Sequence, residues 1–184
     1  MPSAVRWIGL LVLFAAYAAY AVRISAAEAA LTDESGYLQF AQNLVHGFYS
    51  PPDALNLWWG PGYPLVLTPI VGLHIPLVVG RVVNALFMVA AVILEYLTLR
   101  RYVWEIVAFA GAAYLAVNLP IVHDSQRLVS ESFSLLLVSI VGYTMSRLAN
   151  GPRAWPWVGA GAAALAWLAL TKVFFGYVLA TLLV

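Results

Sequence analysis

The sequence predicts an all-α, polytopic membrane protein with about five or six transmembrane helices and a first outer loop that bears an interfacial helix. Three observations carry this. The 184 residues are 64% hydrophobic and 9% charged, far from the balance of a soluble domain. The charges are spaced so that long uncharged runs separate them. One polar stretch, "TDESGYLQFAQNLVHGFYSPPDALNLWWGPGYPL" from Thr32 to Leu65, interrupts the apolar pattern.

The same composition excludes several function classes. Formal net charge is +1 without a basic block, so no electrostatic footprint for nucleic acid exists. The absence of cysteine removes disulfides, thiolate nucleophiles and cysteine-based metal sites.

The first apolar run, Trp7 to Val22, lies between Arg6 and Arg23 and approaches the ~20 residues of a spanning helix. Because "SAAEAA" follows it, a cleaved signal peptide is the alternative; the apolar character of the remaining chain favours an uncleaved helix. Further apolar segments run from Tyr63 to Gly80, Val82 to Leu99, Tyr102 to Leu119, Leu128 to Met145, Ala154 to Thr171 and Val173 to Val184. Pro64, Pro69, Gly72, His74 and Pro76 interrupt the first of these, which suits a re-entrant or interfacial element better than a clean span. The chain thus divides into a first transmembrane helix (1–27), an outer loop with interfacial helix and re-entrant segment (28–80) and further transmembrane helices (81–184), all in a single membrane domain (1–184).

If Tyr63–Gly80 does not cross, Arg6, Arg100, Arg101, Arg147 and Arg153 share one side, which the positive-inside rule makes cytoplasmic. The N-terminus is then cytoplasmic. If it does cross, Arg81, Arg127 and Lys172 become the inward set, each at the edge of an apolar run. On the first topology the acids Asp33, Glu34, Asp53, Asp124 and Glu131 and the cations Arg81, Arg127 and Lys172 gather at the outer face. Ionisable groups there are costly unless paired, hydrated or used, so a functional site is expected.

Thr32 as N-cap, acids in the first turn and Gly47 as a stop predict a short helix. Tyr37, Phe40, Ala41, Leu44 and Phe48, widened by Leu38 and Val45, form an apolar stripe expected to lie on the bilayer interface. Asp33 at the helix entrance is favoured as the carboxylate, which suits a general base; Asp33 and Glu34 as mere first-turn acids are the alternative. Trp58 and Trp59 suit interfacial anchoring, and Gly60-Pro61-Gly62 suits a turn back to the membrane. Glu95 and Glu105, about one turn either side of Arg100 and Arg101, are read as pairing residues.

The order of features resembles the N-terminal module of the GT-C superfamily of membrane glycosyltransferases, particularly relatives of protein O-mannosyltransferases and aminoarabinose transferases. The residues that carry the likeness are "DESGY" at Asp33 to Tyr37, "PGYP" at Pro61 to Pro64, the Arg-led helix "GRVVNALFMVAAVILEYLTLRR", and "NLPIVHDSQRLVSESFSLLL" with Glu131 at the second acidic position. The resemblance implies inverting transfer of a sugar from a polyprenyl-phosphate donor to an acceptor on the outer or lumenal face of a prokaryotic plasma membrane. It assigns catalysis to Asp33 as base with Glu34 and Glu131, and donor phosphate binding to Lys172 first, Arg127 second and Arg81 third. Tyr37, Trp59, Tyr63, His123 and Asp124 are the expected lining of the substrate groove. Metal use differs across the superfamily; a divalent metal ion is left open as cofactor, and Glu131 is read as a metal ligand, a holder of a cation or an orienter of the acceptor. His74 and His123 are read as interfacial hydrogen-bonders rather than ligands.

This chain departs from the pattern at Ser50, which stands where aminoarabinose-transferase relatives carry a lysine before the paired prolines Pro51 and Pro52. The final run, Val173 to Val184, is shorter than a span, so the chain is expected to be the N-terminal part of an enzyme. A non-catalytic lipid-binding membrane subunit acting with a partner membrane chain is the alternative function. A small transporter is disfavoured because the charges gather at the boundaries rather than at the midplane.

Overall fold

The computed structural model describes residues 3–27, 33–51, 53, 55, 56, 59–118, 123, 127–149 and 155–182. The fold is all-α. In chain order the described helices are α1 (Ser3–Ala27), α2 (Asp33–Val45), α3 (Gly62–Gly72), α4 (Leu77–Leu99), α5 (Glu105–Val117), α6 (Glu131–Leu148), α7 (Trp155–Thr171) and α8 (Val173–Leu182).

Local chemistry sets the breaks that matter for the site. Helix α2 opens on Asp33 and Glu34, whose charge complements the helix dipole, and the chain turns at Gly47 with φ +86°, a conformation glycine adopts without a Cβ penalty. In α3, Pro64 sits in the first turn, where its missing N–H has no intrahelical acceptor. The helix ends at Gly72, and His74 takes a left-handed φ of 54°. Pro76, in extended conformation, then starts α4 at Leu77. The apolar segment Tyr63–Gly80 is therefore broken as its prolines predict, but the second helix begins before Arg81 and places Arg81 in its second turn.

Helix α4 is the central element. It packs on α1, α5 and α6, while α6 packs on α7, α2 on α3, α3 on α7 and α8 on α7. Among the described residues α4 is the one helix long and apolar enough to cross a membrane; Leu11–Tyr20 within α1, Gly62–Gly72, Glu105–Val117 and Trp155–Thr171 are shorter apolar helices. Two cores flank α4. Tyr17, Ala85, Met88, Val89, Val92, Ala112 and Ala116 join α1, α4 and α5, with the Tyr17 hydroxyl donating to the Ala116 carbonyl. Alanines at Ala85, Ala112 and Ala116 let these backbones approach closely. The second core joins α2, α3, residues 128–129, α6 and α7 through Tyr37, Tyr63, Leu67, Leu128, Phe133 and Leu168.

The apolar stripe of α2 is covered by protein rather than by bilayer, which corrects the interfacial expectation. Tyr37, Phe40 and Ala41 are buried. Trp59 lies on Tyr37 with ring centroids 5.4 Å apart and on Phe40 at 5.8 Å, and Tyr49 stacks on Phe40 at 4.5 Å. Only the far end of the stripe, Val45 and Phe48, stays exposed. Aromatic residues from the following loop fold back over the helix because they gain more contact there than in isolation.

At the opposite end, Arg100 lies over the Tyr96 ring and Arg147 over the Trp157 ring, while Glu105 accepts the Tyr96 hydroxyl at 3.1 Å. Exposed apolar side chains line the outward faces of α5 (Ile106, Phe109, Tyr114) and of α7 and α8 (Trp167, Leu170, Phe174).

Candidate functional site

Adjacent residues on a helix point about 100° apart. Asp33 and Glu34 accordingly face different surroundings: Asp33 is exposed, whereas Glu34 is buried. Glu34 accepts two hydrogen bonds from Arg81, Nε to Oε1 at 3.1 Å and Nη2 to Oε2 at 3.0 Å, and a third from the Leu128 backbone N–H to Oε1 at 2.8 Å. Both partners of this fork-shaped pair are 5% exposed. Burying such a pair is costly unless charge-assisted bonds satisfy both partners.

Asn84 lies three residues beyond Arg81, on the same face of α4. Its Nδ2 donates to the Arg127 carbonyl at 2.5 Å and the Val129 carbonyl at 3.2 Å, and its Oδ1 accepts the Tyr63 hydroxyl at 3.0 Å. Tyr37, one turn beyond Glu34 on α2, shares a 2.8 Å hydrogen bond with the Ser130 hydroxyl. The non-helical segment 127–130 is thus pinned residue by residue: the Arg127 carbonyl, the Leu128 N–H, the Val129 carbonyl and the Ser130 hydroxyl. Replacing Asn84 by Leu leaves two carbonyls and a buried phenol without this partner and is expected to cost about 1–3 kcal/mol. Thermal unfolding of the detergent-purified variant checks this, and a wild-type midpoint would contradict the role of Asn84.

The pinned segment delivers Glu131 to the first position of α6. Opposite it, Lys172 occupies the break between α7 and α8, its Nζ 2.8 Å from Glu131 Oε1. This second ion pair is open, with side chains 35% and 44% exposed. The end of α7 is set by the Gly60-Pro61-Gly62 turn. A Cβ on Gly60 would fall 1.9 Å from the Leu170 carbonyl oxygen, and one on Gly62 2.3 Å from Thr171 Oγ1, so only glycine permits this approach. Trp167 Nε1 donates to the Gly62 carbonyl at 3.0 Å. Gly36 plays a similar part on α2, where a Cβ would fall 1.9 Å from the Trp59 ring.

Burial raises the Tyr37 phenol above its ordinary pKa, opposed by the Ser130 hydrogen bond and the Lys172 charge and reinforced by the charges of Glu131 and Asp33. The phenol therefore stays protonated at neutral pH and able to donate. Burial lowers the Lys172 ammonium, but the hydrogen bond and charge of Glu131, together with Tyr37, outweigh it and hold the group above the usual lysine value. Lys172 remains a cation.

The structure thus brings Glu34, Tyr37, Trp59, Arg81, Glu131 and Lys172 to one end of the bundle, with Asp33 at its rim. Some expected roles change. Tyr63 is fully buried, with its hydroxyl on Asn84, so it supports the site instead of lining a groove. Glu34 and Arg81, expected as a catalytic acid and a phosphate contact, form a shared buried pair. Arg127 is partly buried and His123 exposed; Asp124, Trp58 and Thr32 lie outside the described residues. Asp53 is exposed in the loop after α2.

No group of three or more His, Asp or Glu side chains forms among the described residues, and the Glu131 carboxylate is held by an ammonium that would repel a second cation. Asn84, Ser130 and Gly36 are the site-forming residues that sequence reasoning missed. Of these, Asn84 carried a signal, an amide inside the apolar run Val82–Leu99, where an unpaired polar group is costly.

No family model, curated protein or solved structure matches the chain.

Proposed function

We propose that the chain is a polytopic membrane module of an inverting glycosyltransferase, taking a sugar from a polyprenyl-phosphate donor at the outer face. The observation that carries this reading is the open Glu131–Lys172 pair beside the Tyr37 phenol and the exposed carboxylate of Asp33, at one end of an apolar helix bundle. The exposed apolar faces of α5, α7 and α8 suit contact with lipid. The order of "DESGY", "PGYP" and the segment ending at Glu131 supports the likeness to the GT-C superfamily.

In this mechanism Asp33 accepts the proton of the acceptor hydroxyl as its oxygen attacks the anomeric carbon. The bond from that carbon to the phosphate oxygen breaks, its electron pair leaves with the polyprenyl phosphate, and the new glycosidic bond has inverted configuration. The leaving phosphate is already a stable anion, so a cation replaces a general acid. Lys172 supplies that charge, and the buried Tyr37 phenol, bonded to Ser130, backs the pair. Glu34, Arg81 and Asn84 act at a distance from the reacting atoms by holding α2, α4 and residues 127–130 in register.

The test is sugar transfer by the purified full chain, given polyprenyl-phosphate sugars in detergent or vesicles. Turnover supports the reading. No transfer by the chain alone, with transfer restored by a copurified membrane chain, would assign it the non-catalytic subunit role instead.

A further inference from the structure

The two ion pairs at this end of the bundle are built differently. Glu34 and Arg81 are sealed and doubly hydrogen-bonded. Glu131 and Lys172 meet through one contact and are each more than a third exposed. Their backbones are nonetheless fixed, Glu131 by the pinned segment before it and Lys172 by the glycine turn against Leu170 and Thr171. Only side-chain rotation is needed to part them.

We propose that Glu131 is an internal counter-anion that holds the Lys172 ammonium until a phosphoryl headgroup displaces it. The inference rests on the reading of this site as one for a lipid-borne phosphate. The sugar-bearing donor is a phosphodiester with one negative charge and matches the carboxylate, whereas the monoester left after transfer carries about −1.5 to −2 charge at neutral pH and is the stronger competitor for the one ammonium. Lys172 exchanges one anion for another and keeps its proton. Glu131, once released, stays at the N-terminal turn of α6. A neutral lipid alcohol offers nothing to replace the carboxylate, which makes the pair a filter for phosphorylated lipids.

The full chain in phosphatidylcholine nanodiscs is titrated with a long-chain polyprenyl monophosphate, the matching polyprenol and inorganic phosphate, as wild type and as Glu131→Gln, Glu131→Asp and Lys172→Gln. Wild type is expected to bind the monophosphate and ignore the alcohol. Removing an exposed competing charge should tighten the monophosphate by about two- to fivefold in Glu131→Gln, and Lys172→Gln should weaken it. Glu131→Asp, which keeps the charge but shortens the reach, should also tighten it and serves where Glu131→Gln fails to fold. Unchanged or weaker binding by both folded Glu131 variants, with wild-type binding intact, would overturn the counter-anion and leave the lipid-phosphate reading standing. No binding of the monophosphate by wild type would overturn both. Inorganic phosphate bound as tightly as the lipid would support displacement but assign the anion to a soluble source.

Discussion

Arg81→Ala is expected to destabilise the protein by about 3–5 kcal/mol, because it leaves the Glu34 carboxylate buried without its fork of hydrogen bonds. The effect should be large for a reason specific to this fold. Glu34 Oε1 also accepts the Leu128 N–H at 2.8 Å, so loss of the cation weakens the hold on residues 127–130 and, through them, the placement of Glu131. Arg81→Lys should recover part of the loss, since an ammonium restores the charge but not the bidentate geometry. Replacing both partners, Glu34→Gln with Arg81→Met, should be less damaging than Arg81→Ala alone, because no unpaired charge then remains buried. Thermal unfolding of the four proteins in one detergent checks the order. An Arg81→Ala midpoint equal to wild type would contradict the structural assignment of this pair.

Asp33→Asn is expected to lower the rate of sugar transfer by about 10²-fold or more, the usual contribution of a positioned general base, while leaving the unfolding midpoint close to wild type. Asp33 is exposed, and its amide replacement can still occupy the first turn of α2, so stability and chemistry separate at this position. Binding of the polyprenyl phosphate should also persist, since the proposed mechanism puts Lys172 and not Asp33 on the phosphate. A variant that transfers at the wild-type rate would remove Asp33 from the reaction. One that loses transfer together with folding would make it a first-turn acid of structural importance only.

The contrast between these neighbours marks what the sequence conveys and what it withholds. The helix 33–45 was legible from its first-turn acids, its apolar spacing and Gly47, and the break within Tyr63–Gly80 from its prolines. The gathering of charges at one end was legible from their positions at the boundaries of apolar runs. The division of labour between Asp33 and Glu34 was not, because both suit a first turn equally, and only the distant Arg81 and the Leu128 N–H decide which one turns inward. The apolar stripe of α2 has the same pattern whether it meets lipid or protein. What covers it is Trp59 and Tyr49, and the return of Trp59 over Gly36 and of Tyr49 over Phe40 depends on tertiary contacts that periodicity does not encode. Asn84 and Ser130 were passed over because each is a single polar side chain whose partners lie 21 or more residues away in the chain.

Residues with no chemistry of their own therefore decide the site. Gly60 and Gly62 let the turn press on the end of α7, Asn84 threads the carbonyls of residues 127 and 129, and Tyr63 backs both. In a bundle this apolar, such polar contacts between helices specify register that hydrophobic packing leaves degenerate.

The most direct test of the central claim, that this polar end receives a lipid-borne phosphate, is native mass spectrometry of the gently extracted chain. The account predicts an adduct with the mass of a polyprenyl phosphate or polyprenyl-phosphate sugar, retained by wild type and Asp33→Asn and lost in Lys172→Gln. Spectra in which wild type carries only bulk phospholipid, or in which the adduct survives Lys172→Gln unchanged, would contradict it.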